Sequence, residues 1–312
     1  MSNFLISFNA VLPTFIIMAV GYIAKRAKVL KGSDYSKMNA VAFKVFMPCI
    51  TFYNIYNTDL SQATNPKLFA YIVIAAVLSF FMSVFYVQRT EKDLSRRSVM
   101  IQGIFRNNYI IMGMPIAEAI VGAENLGLIS VLVAIVIPTY NMLATVTLEV
   151  FGEKKTGFKK TLIGILKNPL IVAAFIAIFV KLIHFTLPDI LVKVIKNMGG
   201  VASPFMLFLL GSFFHFEGIV KYRRELFVAT VGKLVVIPGI FMSIGALLGF
   251  RGIEFVALIP TFASPTGVNS FVMAEQMGGD AELAGNIVIV TSALCSFTIF
   301  LWIYLFKSLG MF

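Results

Sequence analysis

The sequence predicts an all-α polytopic membrane protein on three observations. Of its 312 residues 59% are hydrophobic, only 13% are charged, and the mean hydropathy is +0.90. A soluble domain needs far less apolar surface to fill its core. The apolar residues also gather in runs close to the ~20 residues that a bilayer core requires. Ten transmembrane helices are expected, at roughly 4–24, 37–56, 67–88, 98–121, 126–148, 161–184, 199–217, 222–250, 254–277 and 282–306. Pro238 offers the long eighth run an early end.

The first run has no basic region before it and no small-residue cleavage site after it, so it reads as a retained span rather than a signal peptide. A formal net charge of +11 would suggest nucleic acid in a soluble protein. Here the basic residues sit in short loops, so the charge speaks of topology and no nucleic-acid partner is expected. Lys25, Arg26, Lys28 and Lys31 follow the first run, and Arg89, Lys92, Arg96 and Arg97 the third. Lys154, Lys155, Lys159 and Lys160 follow the fifth, and Lys221, Arg223 and Arg224 the seventh. The intervening loops hold fewer: Lys67, then Lys181, Lys193 and Lys196, then Arg251. By the positive-inside rule the rich loops are cytoplasmic, both termini lie outside, and the chain resides in the plasma (inner) membrane. Cys49 and Cys295 lie in apolar runs and read as small hydrophobes, with no disulfide, metal site or cofactor implied.

The fourth and ninth runs are interrupted. Phe105–Pro115 reads FRNNYIIMGMP, where Asn107, Asn108, Gly113 and Pro115 weaken or block the helix, which should break there. Ile259–Met277 contains Pro260, Pro265, Gly267 and Asn269 in a similar run. Lipid offers no hydrogen-bond partner, so freed backbone groups must be buried in protein or line a wet cavity. Two broken helices at membrane depth are therefore a candidate binding site.

With a shift of 157 residues, Phe105 meets Phe262, Ala117–Glu118 meets Ala274–Glu275, Gly122 meets Gly279 and Leu126 meets Leu283. Pro13 and Pro48 find Pro169 and Pro204 with a slip of about one residue. Five spans per half give the halves opposite orientations. The expected organisation is two inverted five-helix repeats, 1–151 and 161–312, joined by a cytoplasmic loop at 152–160 and containing broken crossover helices 4 and 9.

These features together resemble the auxin efflux carrier family, in particular its bacterial malate-permease-like members. The likeness rests on VLPTFIIMAVGYIAKR from Val11, FKVFMPCITFYNIY from Phe43, Asn108 with Gly113–Met114–Pro115, Lys167–Asn168–Pro169–Leu170, and the stretch from Ser264 through Asp280 to Trp302. In the plant members an asparagine seven residues before the proline marks the crossing point, a position held here by Asn108. The large cytoplasmic domain of those members is missing between the halves, and Arg106 and Asn107 depart from their pattern. The resemblance implies a secondary transporter for a small organic anion, a carboxylate such as malate, malonate or an auxin-like monoacid. It further implies an elevator-type mechanism, with a scaffold of spans 1, 2, 6 and 7, a transport unit of spans 3–5 and 8–10, and a homodimer. A sodium-coupled bile-acid-type carrier and a non-transporting sensor are the alternatives on a similar plan.

An anion suits such a site because two half-helix N-termini would supply free N–H donors and partial positive charge. Asn108 and the backbone around Pro265–Val268 are the leading contacts. Asn107, Gly113, Pro115, Ser264, Thr266, Gly267 and Asn269 complete the candidate set, and amides that merely cap the broken ends are the plainer reading. Lys233 falls near the bilayer centre and is either a further binding residue or a snorkelling cation. Lys44 should snorkel, Arg106 should snorkel, pair locally or clamp an anion, and His184 and His215 should be interfacial. Glu118 and Glu275 are candidates for proton coupling beside a sodium alternative, or else polar residues at helix ends. A dianion entering against the membrane potential climbs about twice 2.3 kcal/mol per 100 mV, which calls for co-transported cations. No nucleophile–base pair or carboxylate pair sits in these runs, so an intramembrane enzyme is not expected.

Overall fold

The computed structural model describes residues 3–58, 65–122, 125–152, 163–164, 166–214 and 216–312. The expected connecting loop beyond Gly152, with its four lysines, and His215 lie outside the described residues. Among the described residues all regular structure is helical. The helices are α1 (Asn3–Arg26), α2 (32–56), α3 (Pro66–Thr90), α4 (Leu94–Phe105), α5 (109–121), α6 (Gly127–Phe151), α7 (Pro169–Leu182), α8 (Asp189–Phe213), α9 (Phe216–Lys221), α10 (Arg223–Leu247), α11 (Ile253–Ala263), α12 (Asn269–Met277) and α13 (Ala281–Ser308). Five of them, α3, α6, α8, α10 and α13, are long and apolar enough to cross a membrane by length and composition.

Local chemistry sets the helix starts. The side chain of Asn65 accepts from the N–H groups of Lys67 and Leu68, with Pro66 behind it. Asn168 accepts from Leu170 N–H ahead of Pro169 in the same way, and Asp93 and Asp280 cap α4 and α13. A short polar side chain before a proline meets a helix's first orphan donors and supplies a preset φ.

Proline acts differently inside the spans. Each of Pro48, Pro115 and Pro238 follows a single π-turn, at Ala42–Phe46, Tyr109–Gly113 and Gly232–Val236. The residue before each proline donates its N–H five residues back: Met47 to Ala42, Met114 to Tyr109 and Ile237 to Gly232. The wider turn relieves the clash between the proline ring and the carbonyl one turn earlier. The helix therefore runs through all three prolines. α10 thus runs on to Leu247, close to the expected 222–250, and does not take the early end that Pro238 offered; one expectation is corrected, since Gly113 and Pro115 do not break the fourth span. The break lies upstream at 106–108, where Arg106 is extended (φ −77°, ψ 139°) and Asn108 adopts φ −101°, ψ 63°. The ninth run breaks at 264–268, between α11 and α12. The seventh helix also begins about ten residues earlier than expected, at Asp189.

Two groups of helices pack together. α1 lies along α8, and α2 lies against α7 and α8. The α1–α8 contact is close because a Cβ on Gly21 would stand 1.9 Å from the Phe208 carbonyl oxygen and one on Gly211 1.8 Å from that of Met18. Small residues that admit backbone to backbone are the usual device of helix association in lipid. On the other side α3 packs on α4 and α6, α10 on α13, and α5 meets α11.

The α5–α11 contact explains Gly113. A Cβ there would come within 2.6 Å of the Pro260 Cβ, and one on Gly267 within 2.7 Å of the Asn107 carbonyl oxygen. Gly113→Ala and Gly267→Ala should each cost about 1–3 kcal/mol through overpacking. Gly200→Ala, with open space around it, should be neutral or stabilising. Thermal unfolding in detergent compares the three.

Candidate functional site

The two breaks are built from each other. Asn108 N–H donates to the Pro265 carbonyl at 2.8 Å, and Thr266 Oγ1 donates to the Gly103 carbonyl at 2.7 Å. Asn107 Nδ2 donates to the Thr261 carbonyl, and Thr291 Oγ1 accepts from Thr266 N–H at 3.2 Å. Ser264 Oγ turns back to the Pro260 carbonyl at 2.8 Å. Each bond meets a backbone or side-chain group that lipid would leave unmet. Asn107, Ser264 and Thr266 therefore act as the caps of the plainer reading.

Asn108 differs. Its side chain is buried, and its Nδ2 has no hydrogen-bond partner. It faces a small cleft of about 50 Å³ bounded by both breaks and by α2 and α8. One side is formed by Asn107, Asn108 and the first residues of α5, Tyr109–Ile111. A second is formed by Gly267, Val268 and Asn269 at the start of α12. The third carries Ile50, Thr51 and Asn54 of α2 and Ser203 and Met206 of α8. Two helix N-termini thus reach one cleft. The first N–H groups of a helix have no carbonyl a turn back to accept them, and they carry roughly half a positive charge.

One residue before the cleft-lining Asn107, and not itself in the lining, stands Arg106, only 2% exposed. Its guanidinium donates to Asn141 Oδ1 at 2.7 Å, Gln102 Oε1 at 3.0 Å and Met273 Sδ at 2.9 Å. All three partners are neutral, so the local pairing expected of Arg106 is made without a carboxylate. The charge is held in place and not cancelled.

The other sequence candidates fall elsewhere. Gly113 packs on Pro260 and Pro115 is exposed; neither lines the cleft. Lys233 is fully buried in its π-turn, with Nζ unpartnered, and it is not among the residues that line the cleft. Glu118 is exposed, whereas Glu275 accepts from Asn39 Nδ2 of α2 at 2.8 Å. Lys44 and His184 are exposed. No cluster of three metal-ligating side chains occurs among the described residues.

Thr51, Asn54 and Ser203 escaped the sequence reading. The available signal was their polarity within apolar runs, with Thr51 and Asn54 three residues apart and so on one helix face.

Comparison with known proteins follows the same lines. The profile of a family described as Membrane transport protein matches residues 6–303. The chain belongs to this membrane transport protein family, the auxin efflux carrier family of the resemblance. An uncharacterized transporter of Methanothermobacter thermautotrophicus is 23% identical over 303 residues, covering 96% of this chain and 98% of the relative. An uncharacterized transporter of Methanocaldococcus jannaschii is 21% identical over 318 residues, covering 96% and 98%. A Rhizobium meliloti protein named "Putative malonate transporter" is 21% identical over 311 residues, covering 96% and 95%. As a member of the membrane transport protein family, the chain is a multi-pass membrane transporter and not an enzyme.

The Arg106 anchorage generates a prediction. Asn141→Leu removes the shortest of its hydrogen bonds and leaves a buried charge less satisfied, at a cost of about 1.5–3 kcal/mol. A fall in melting temperature larger than that of Ser308→Ala, on an exposed helix end, is the expected reading.

Proposed function

We propose that this protein is a secondary transporter that moves a small organic anion, a carboxylate of the malonate or malate type or an auxin-like monoacid, across the plasma membrane. One observation carries the reading. Two helix N-termini and the unpartnered amide of Asn108 converge on one cleft, beside a buried arginine with only neutral partners. A carboxylate there gains charge-assisted hydrogen bonds and supplies the negative charge that the site lacks. The name of the Rhizobium meliloti relative supports a dicarboxylate.

A volume of about 50 Å³ lies well below the ~300–1,000 Å³ that ligand sites span. The substrate thus enters when the two breaks part from α2 and α8. This fits an elevator-type mechanism in which α1, α2, α7 and α8 stand still, and their mutual packing supports such a scaffold. The same reading takes the chain as ten spans in two inverted repeats with crossing broken helices, termini outside, and scaffold helices joining two copies. Among the carboxylates, Glu275 is the better proton-coupling candidate, because its bond to Asn39 bridges α12 and α2. Lys233 is assigned no substrate contact.

The test is thermal stabilisation of the purified protein by malate, malonate, succinate, lactate and indole acetate, with and without sodium and at two pH values. Bound ligand raises apparent stability by mass action. One anion should shift the parent, and Asn108→Ala should need about tenfold to a hundredfold more of it, the equivalent of one charge-assisted hydrogen bond. An equal response from parent and variant would remove Asn108 from the site. Silence across every carboxylate would remove the substrate class.

A further inference from the structure

A second cavity lies on the outer flank of the helix bundle, away from the breaks. It has a volume of about 660 Å³, within the ~300–1,000 Å³ that ligand sites span. Its walls are the last turns of α3, with Phe81, Phe85 and Tyr86, and the first half of α10, with Phe227 and Val236, over a floor at Ile104 and Gly232. Phe85 is 63% and Phe227 70% exposed, so the groove opens outward to the surrounding bilayer. Of its two hydroxyl-bearing residues, Ser83 spends its Oγ on the Ser79 carbonyl at 2.7 Å, and Tyr86 is an exposed residue of the wall. The lining offers a carboxylate no cation and no cluster of donors, and the groove is therefore no part of a substrate path.

Its rim is the opposite in character. Arg89 lies one turn beyond Phe85, donates to the Phe85 carbonyl at 3.1 Å and sets its guanidinium 3.3 Å from that ring's centroid. Arg223 and Arg224 stand one turn before Phe227. Arg224 Nη2 donates to the Thr90 carbonyl at 3.2 Å, which ties the end of α3 to the start of α10 and gathers the three arginines at one mouth. All three are exposed, and none belongs to an ion pair among the described residues. The nearby Glu225 is engaged by Arg96 at 3.4 Å.

We propose that this groove binds an anionic glycerophospholipid, with an acyl chain along the α3–α10 wall and the phosphate headgroup on Arg89, Arg223 and Arg224. An apolar slot one helical turn, about 5 Å, from three exposed guanidiniums matches the depth at which a phospholipid changes from chain to phosphate. Guanidinium is the side chain best suited to bidentate phosphate contact, and anionic lipids gather on the side where basic loops lie. The site is independent of the transported substrate, since none of its residues lines the central cleft.

Purified full-length protein, stripped of lipid and supplied with phosphatidylglycerol or phosphatidylcholine of identical chains, provides the test by native mass spectrometry and melting temperature. Phosphatidylglycerol should remain bound at about tenfold lower concentration and raise the melting temperature further than phosphatidylcholine. The R89Q/R223Q/R224Q variant should lose that preference while keeping a lipid-free melting temperature near the parent's. Val236→Trp, which fills the slot, should reduce retention of both lipids. Equal binding of the two lipids by the parent, a comparison that needs no variant, would overturn the proposal. Retention unchanged in Val236→Trp would overturn the groove as the place, and a preference surviving the triple substitution would overturn the arginines as its cause.

Discussion

The bond from Asn108 N–H to the Pro265 carbonyl, with its companion from Thr266 Oγ1 to Gly103, is the constraint on which the centre of this protein depends. A polypeptide that stops being helical inside a bilayer has unmet donors and acceptors, and each costs several kcal/mol. One break alone would have to close again or be excluded from the membrane. Two breaks set against each other satisfy most of their groups mutually. What is left at the cleft is the starts of α5 and α12 and the unpartnered amide of Asn108.

That economy shapes the electrostatics. The broken ends use their own side chains as caps, and the Asn108 amide is left as an unpartnered donor at the cleft. Arg106 adds a full charge, fixed by three neutral partners that orient it and leave its field intact. Gly113 and Gly267 let the two strands of backbone approach closely enough for the exchange of bonds. Sterics, hydrogen bonding and charge at this point are thus one arrangement, and a change in any of them is felt by the others.

Much of this was legible in the residues. Apolar runs, loop charge and the clusters at Asn107–Asn108 and Pro265–Gly267 announced a membrane protein with two interrupted helices. The exact use of each residue was not. Proline reads as a breaker in a linear sequence, yet Pro48, Pro115 and Pro238 are absorbed by π-turns whose hydrogen bonds no local pattern announces. Lys233 looked central by depth along its helix, but depth does not fix azimuth, and no residue of α10 lines the cleft. Thr51, Asn54 and Ser203 reach it only because α2 and α8 pack where they do, a matter of tertiary geometry.

The π-turns also bear on how such a chain varies. A π-turn holds one residue more than the α-helical turn it replaces, and each residue turns a helix by about 100°. Loss of a single residue within 109–113 would close the turn, swing the whole of Met114–Val121 about its axis and drive Pro115 back into a carbonyl. Relatives of this chain should therefore differ freely in the letters of these segments while holding their length, so that insertions and deletions gather in the loops and spare the three widened turns.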